Sequence, residues 1–349
     1  MMIFLGAVLW YGALAVDVGS PPAAAVQGHS VSVEVAATGS SVVQKYMRRE
    51  RTVVNVTANT TDGADLYRLT LLDGVQKDVT NEAIVTHVCS KDWAPGALAL
   101  AASLRAAGTS RNLVLMVTDD IGHRFRHLFS SVFDKVYIEE PITPHESITR
   151  DGGDCVTLQL RAWQLPYRKV LYMDADIIAL KTHDSLLDSY GELTAKRDPG
   201  LKEQFNGGMF ILEPADSKFQ KLRKLLTGST TFGNVGGIQQ FLNFAFPSCT
   251  KTAVVGCWKS ALEDTYNKFT RDVTEADLRA ERLASLHYSG NWGADKKPWM
   301  SGCRDTSDSV TRRSELVSTL VKMWMDAFHR VSPPESLKDL LHVDCPLES

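Results

Sequence analysis

Two carboxylates separated by one small residue, Asp174-Ala175-Asp176, stop the apolar run Lys169-Val170-Leu171-Tyr172-Met173. Turned into one polar pocket, such a pair offers hard oxygen ligands for Mg²⁺ or Mn²⁺, and a diphosphate completes the shell of an ion held this way. The ion is then a Lewis acid that neutralises charge growing on a departing diphosphate. Acidic turns after strands are common, and most are helix caps or solvated loops. The meaning of this one rests on the elements that position it and on the residues those elements bring to it.

The turn follows an apolar segment that reads as a strand, and the chain before it alternates. Ala83 to Cys89 is a short β-rich run. Pro95-Gly96 and the Ala- and Leu-rich stretch Ala97 to Ala107 follow as loop and helix. Leu113 to Val117 reads as a buried strand ending in Thr118-Asp119-Asp120, Arg124 to Phe133 as a helix, Lys135 to Ile138 as a strand, and Val156 to Gln164 as a helix. Alternation of this kind predicts an α/β fold, a single Rossmann-like doubly wound and mostly parallel sheet with helices on both faces. Ligands of such sheets sit beyond the carboxyl ends of the strands, which is where Asp174 and Asp176 stand. Phe219 to Leu226 and Leu316 to Phe328 have the pattern of later amphipathic helices whose aromatic and Met residues pack.

The 349 residues are 44% hydrophobic, enough for one large core or two modest ones, and a formal charge of -3 leaves no basic stripe for nucleic acid. Residues 1–16 form an uncharged apolar run ending in Ala13-Leu14-Ala15, the pattern of a signal peptide or short membrane anchor. Its length is below the roughly 20 residues of a comfortable bilayer span. Residues 17–81 read as a largely irregular stem, rich in Ala, Ser and Thr, that carries two glycosylation acceptors, Asn55-Val56-Thr57 and Asn59-Thr60-Thr61. Residues 82–300 form the candidate catalytic domain and 301–349 a helical extension. Export through the ER or Golgi lumen, or secretion, is the expected destination, with membrane association through the N-terminus. The six cysteines show no C-x-x-C pair. Cys249 with Cys257 and Cys303 with Cys345 are the first disulfide pairings to test, although connectivity is not legible from spacing.

A set of segments in fixed order gives the acidic turn company: Trp93-Ala94-Pro95-Gly96-Ala97-Leu98, Val132-Phe133-Asp134-Lys135-Val136, Tyr172-Met173-Asp174-Ala175-Asp176, Phe205-Asn206-Gly207-Gly208-Met209-Phe210, Tyr266-Asn267, His287-Tyr288-Ser289-Gly290 and Lys297-Pro298-Trp299. In these segments the chain resembles family 8 glycosyltransferases, the glycogenin and galactinol synthase group, over roughly Val85 to Trp299. The resemblance implies a GT-A fold, a UDP-sugar donor, Mn²⁺ with Mg²⁺ as the alternative, and transfer that retains anomeric configuration. It makes Asp174, Asp176 and His287 the metal ligands and Lys297 the partner of the donor phosphates, with Ala175 and Gly290 lining the same nucleotide site. These roles suit a neutral imidazole and a lysine point charge. Trp93 matches an aromatic position, usually tyrosine, that holds the uracil ring. Asn206 and Gly207 match positions near the donor sugar, and Gln239 matches a sugar-contacting glutamine near the reacting carbon. Asn206 and Gln239 are therefore the candidate catalytic residues.

Three departures from the family pattern bear on the sugar. Ile238 stands where an acidic residue is usual before Gln239, Gln159 replaces a donor-side lysine, and extra residues between His287 and Lys297 leave Lys296 as an alternative cation. The expectation is a metal-dependent hexosyltransferase acting on a glycan, glycolipid or glycoprotein acceptor in the secretory pathway, with a homodimer compatible. The rival is a catalytically impaired nucleotide-sugar-binding protein with the same fold.

Overall fold

The computed structural model describes residues 34–38, 41–46, 52–59, 66–74, 78–145, 153–201, 203–228, 237–289, 297–299 and 315–331, with side chains described from 82 onward. The chain divides into two units, 1–31 and 32–349. Every described residue lies in the second, so the apolar run 1–16 lies outside the described residues.

Strands β1 (Glu34–Thr38), β2 (Ser41–Tyr46), β3 (Thr52–Asn59) and β4 (Leu66–Gly74) come first. They correct the reading of 17–81 as an irregular stem. Runs such as Val53-Val54-Asn55-Val56-Thr57 are β-branched, and that preference for a pleated surface outweighs the surrounding Ser, Gly and Pro. Both glycosylation acceptors begin on β3. Then follow β5 (Asp78–Val88), α1 (Ala94–Ala106), β6 (Asn112–Val117), α2 (Asp119–Arg124), α3 (Arg126–Val132) and β7 (Lys135–Ile138). The helix expected over Arg124 to Phe133 is thus two short helices meeting at Phe125. The segment expected as a helix from Val156 is a 3₁₀ helix, Gly153–Gln164. Beyond it lie β8 (Tyr167–Met173), β9 (Ile177–Ala179), α4 (Asp184–Ser189), β10 (Thr194–Arg197), β11 (Phe205–Leu212), α5 (Asp216–Thr227), α6 (Ile238–Ala245), β12 (Lys259–Ser260), β13 (Lys268–Phe269), α7 (Glu275–Arg279), β14 (Ser285–His287) and α8 (Glu315–Phe328).

The large sheet runs β1-β2-β3-β4-β7-β6-β5-β8-β11-β10-β12. Its centre, β4-β7-β6-β5-β8, is parallel throughout, as the α/β alternation requires. Antiparallel pairs flank it on both sides. Along β6 the side chains alternate between two cores: Leu113, Leu115 and Val117 face one, Val114 and Met116 the other. α1 and α8 cover the first core, and the 3₁₀ helix, α5 and α6 cover the second. Each such buried aliphatic side chain is worth about 1.5–3 kcal/mol, which explains why a strand buried on both faces reads as a continuous apolar run. Among the described residues no helix is long and apolar enough to cross a membrane.

Two disulfides join described residues. Cys249–Cys257 forms as the spacing allowed, and Cys89–Cys155 joins the residue after β5 to the start of the 3₁₀ helix. Cys303 and Cys345 lie outside the described residues.

Candidate metal and nucleotide site

Chain geometry puts the acidic turn at the carboxyl end of β8, where it is clamped from three sides. Met173 pairs with Met209 of β11, and the Asp174 amide donates to the Gly208 carbonyl at 2.7 Å. The turn closes with the Ile177 amide on the Asp174 carbonyl at 3.1 Å, after which the chain enters β9. There it meets a second, three-stranded sheet, β13-β14-β9, in which His287 pairs with Ile177 on one side and Phe269 on the other. This small sheet carries His287 across more than a hundred residues of sequence to the acidic turn.

Asp174, Asp176 and His287 converge with their ligand atoms all within 4.8 Å of one another. His287 Nε2 lies 3.1 Å from Asp176 Oδ1, a buried oxygen with no other hydrogen-bond partner. Two carboxylates and one imidazole, partly orphaned and facing one point, are a donor set that fits Mn²⁺ or Mg²⁺. The space between them is kept open by Gly208: a Cβ there would lie 2.5 Å from His287 Cε1 and 2.9 Å from Asp174 Oδ2. Burial and then the neighbouring charge of Asp176 push the Asp174 carboxyl up to about 6. Burial acts in the same sense on Asp176, but Lys297, joined by His287 whenever its ring is protonated, outweighs it and holds that carboxyl well below its ordinary value.

Lys297 reaches the triad despite the extra residues before it. Its Nζ donates to Asp176 Oδ2 at 2.6 Å and to the Tyr288 carbonyl at 2.9 Å, and it sits 5.3 Å from the centre of the Trp93 ring. Trp93 is braced by Trp299 (centroids 5.7 Å, near-perpendicular), which donates from Nε1 to the Asp92 carbonyl at 2.6 Å and packs on Trp324 of α8. The start of α1 comes so close to the acidic turn that a Cβ on Gly96 would lie 2.5 Å from the Ala175 carbonyl oxygen. An aromatic face, an ammonium and a carboxylate pair in sequence are what a base, a diphosphate and a cation need.

Asn206, Gly207 and Gln239 form a second cluster beside the first. The Gly207 amide donates to Gln239 Oε1 at 2.9 Å, and Asn206 Nδ2 approaches the same oxygen at 3.2 Å. Both side-chain amides converge on Asp198 Oδ2, Asn206 at 3.3 Å and Gln239 at 3.1 Å. Gln159 does not face outward as a substitute for a cation: it is buried and its amide donates to the Gly207 carbonyl at 2.7 Å. Tyr172 donates to Asp174 Oδ1 at 2.8 Å, its proton held firmly by burial and by the adjacent Asp174 charge. Of the residues singled out from sequence, Trp93, Asp174, Ala175, Asp176, Asn206, Gly207, Gln239, His287 and Lys297 come together here. Gly290 and Lys296 lie outside the described residues.

Three participants were not singled out from sequence. Tyr172 had a signal, since it lies two residues before Asp174 on the same strand face. Asn267 stands in a matching segment but shows its purpose only in space. Asp198, in the turn Arg197-Asp198-Pro199-Gly200, reads as a loop residue. Asp198 also lines a cavity of 360 Å³ with Lys196, Arg197, Asp264, Lys268 and Phe269, and Phe269 packs edge-on against His287 at 5.1 Å.

No protein-family model matches the chain. It is similar to human glycogenin-1, 33% identical over 182 residues that are 50% of this chain and 51% of that protein. Human glycogenin-2 is 32% identical over 252 residues, 69% of this chain and 48% of the relative. A putative UDP-glucuronate:xylan alpha-glucuronosyltransferase 5 of Arabidopsis thaliana is 29% identical over 277 residues, 76% and 45%. The chain spans about half the length of these relatives. Among solved structures, the glycosyltransferase GlyE of Streptococcus pneumoniae TIGR4 aligns with a TM-score of 0.47 at 21% identity, covering 71% of this chain and 62% of that one.

Proposed function

We propose that the chain, which is similar to glycogenins at 32–33% identity, is a family 8 glycosyltransferase that transfers a sugar from a UDP-sugar to a glycan, glycolipid or protein acceptor with the help of Mn²⁺ or Mg²⁺. The observation that carries the reading is the convergence of Asp174, Asp176 and His287 on one point, with Lys297 and Trp93 beside it. UDP-sugar use is supported by this ordered set and by the donor named for the Arabidopsis relative. A bound divalent ion supplies Lewis-acid stabilisation of the leaving diphosphate. The protein's own part is positional. Trp93 offers a face for the base, Lys297 a cation for phosphate oxygens, and the amides of Asn206 and Gln239, fixed by Asp198, a rigid polar wall for the sugar. The cavity beside Asp198 is the place we assign to the acceptor.

A lumenal or secreted location, with the apolar N-terminal run as signal or anchor, is part of the same proposal. It is supported by the sequons at Asn55 and Asn59 and by two disulfides, which form and persist in oxidising compartments. The test is UDP release from a panel of UDP-sugars with and without Mn²⁺, in wild type and Asp176→Ala. If no donor turns over and Asp176→Ala changes nothing, the reading is wrong. Binding of UDP and Mn²⁺ with no turnover would identify a nucleotide-sugar-binding protein instead.

A further inference from the structure

A metal-binding imidazole must present a bare nitrogen, and which nitrogen is bare depends on what the other one bonds. For His287 the answer is written in a chain of buried amides. The Gly208 backbone N–H, which can only donate, points at Asn206 Oδ1 at 3.0 Å. At the other end of the same side chain, Nδ2 lies 3.3 Å from Asp198 Oδ2, an acceptor. Asn206 is therefore oriented twice over, with its oxygen toward Asn267. That oxygen accepts from Asn267 Nδ2 at 2.9 Å, which turns Asn267 Oδ1 toward His287 Nδ1 at 2.8 Å. An amide oxygen only accepts, so Nδ1 must carry the proton, and in the neutral ring Nε2, 3.1 Å from Asp176 Oδ1, then keeps its lone pair. Asn206, Asn267 and His287 are all buried, so water does not compete for these bonds.

The geometry points to Asn267 as a positioning residue that fixes the tautomer and ring orientation of His287, its own polarity dictated by Asn206, Gly208 and Asp198. The inference rests on the metal-site reading for its purpose, but the tautomer it specifies is a property of the protein alone. Asn267 is also held at φ +49°, a left-handed conformation that asparagine, aspartate and glycine tolerate better than other residues. Its backbone N–H is tied to Ser285 Oγ at 2.9 Å, so the strained turn before β13 aims the amide rather than merely accommodating it.

The experiment is two-bond ¹H–¹⁵N correlation of histidine-labelled protein at mildly alkaline pH, without metal, alongside calorimetric titration with Mn²⁺. Wild-type His287 is expected as the Nδ1–H tautomer. Asn267→Gly keeps the positive φ at no steric cost. It is expected to lose that single-tautomer signature and to weaken Mn²⁺ binding by about tenfold to a hundredfold, the usual effect of removing a partner behind a metal ligand. Asn267→Asp retains the acceptor facing Nδ1 and is expected to keep the tautomer. A wild-type His287 protonated on Nε2, as the other tautomer or as imidazolium, overturns the inference whatever the variants do. So does an Asn267→Gly protein with unchanged tautomer and affinity, or an Asn267→Asp protein in which Nδ1 of His287 no longer carries a proton. A wild type with the expected tautomer and no affinity for Mn²⁺ refutes the metal-site reading, and with it the purpose assigned to Asn267.

Discussion

Replacing Gly208 by alanine adds one methyl group at the narrowest point of the metal site. That carbon would lie 2.5 Å from His287 Cε1, 2.9 Å from Asp174 Oδ2 and 3.0 Å from Asn206 Oδ1. Carbon atoms rest about 3.5–4.0 Å apart, so the imidazole would have to retreat by about 1 Å. It has nowhere to go: His287 is 4% exposed, bonded to Asn267 and packed on Phe269. Overpacking of this kind costs about 1–3 kcal/mol of stability, and a shift of that size at a reacting centre costs about 10²-fold in rate. Gly207→Ala is the control, because its Cβ would meet only Gln239 atoms, at 3.4 Å or beyond, an ordinary contact. Calorimetry with Mn²⁺ and UDP release from a UDP-sugar should show Gly208→Ala losing at least tenfold in metal affinity and most of its turnover, with Gly207→Ala close to wild type in metal affinity. A folded Gly208→Ala with wild-type metal affinity, or equal losses in both variants, would refute the argument that this glycine keeps the ligand space open.

Protonation of Asp174, raised to about 6 by burial and Asp176, competes with a cation. Mn²⁺ affinity of the free protein is therefore expected to be flat above that value and to fall by about tenfold per pH unit below it, and a titration series showing no decline down to the ordinary aspartate range contradicts this. Trp93→Ala should weaken UDP binding by about 1–3 kcal/mol, the worth of a base stacked on an aromatic ring, without altering Mn²⁺ affinity measured in the absence of nucleotide. The Cys89–Cys155 bridge spans 66 residues, and its removal as a double serine variant should cost about 4 kcal/mol on the loop-entropy scale, read as a lower denaturant midpoint. An unchanged midpoint would mean the bridge is not formed in the protein.

The parallel centre of the sheet was legible because strands buried on both faces must be apolar throughout, and the residues that close them must be polar. Leu113 to Val117 and Lys169 to Met173 announce themselves that way. The 34–74 strands were obscured because their β-branched runs are interleaved with Ser, Asn, Asp and Gly, which carry turn signals of similar strength. The 3₁₀ geometry of 153–164 had no signature, since apolar spacing there serves either helix type over so short a span. At the site, Asp174 and Asp176 could be named from type and position, and His287 and Lys297 through the family resemblance. Asp198 and Asn267 could not, because their importance lies in which way an amide or carboxylate faces, a property of pairings between β11, α6 and the small sheet rather than of local sequence.

That distinction changes the weight of the departures from the family pattern. Ile238 removes a carboxylate from the start of α6, but Asp198 supplies one to the adjacent Gln239 and Asn206 amides at 3.1 and 3.3 Å. The sugar-side wall therefore keeps an anionic anchor. Gln159 removes a cation, yet its amide donates to the Gly207 carbonyl at 2.7 Å. The glutamine thus braces the glycine turn without adding charge beside the Lys297–Asp176 pair. Under the proposed function, both substitutions leave the Asp174, Asp176, His287 and Lys297 cluster in place and alter the surroundings of Asn206 and Gln239, so sugar choice is where this chain should part from its glycogenin relatives.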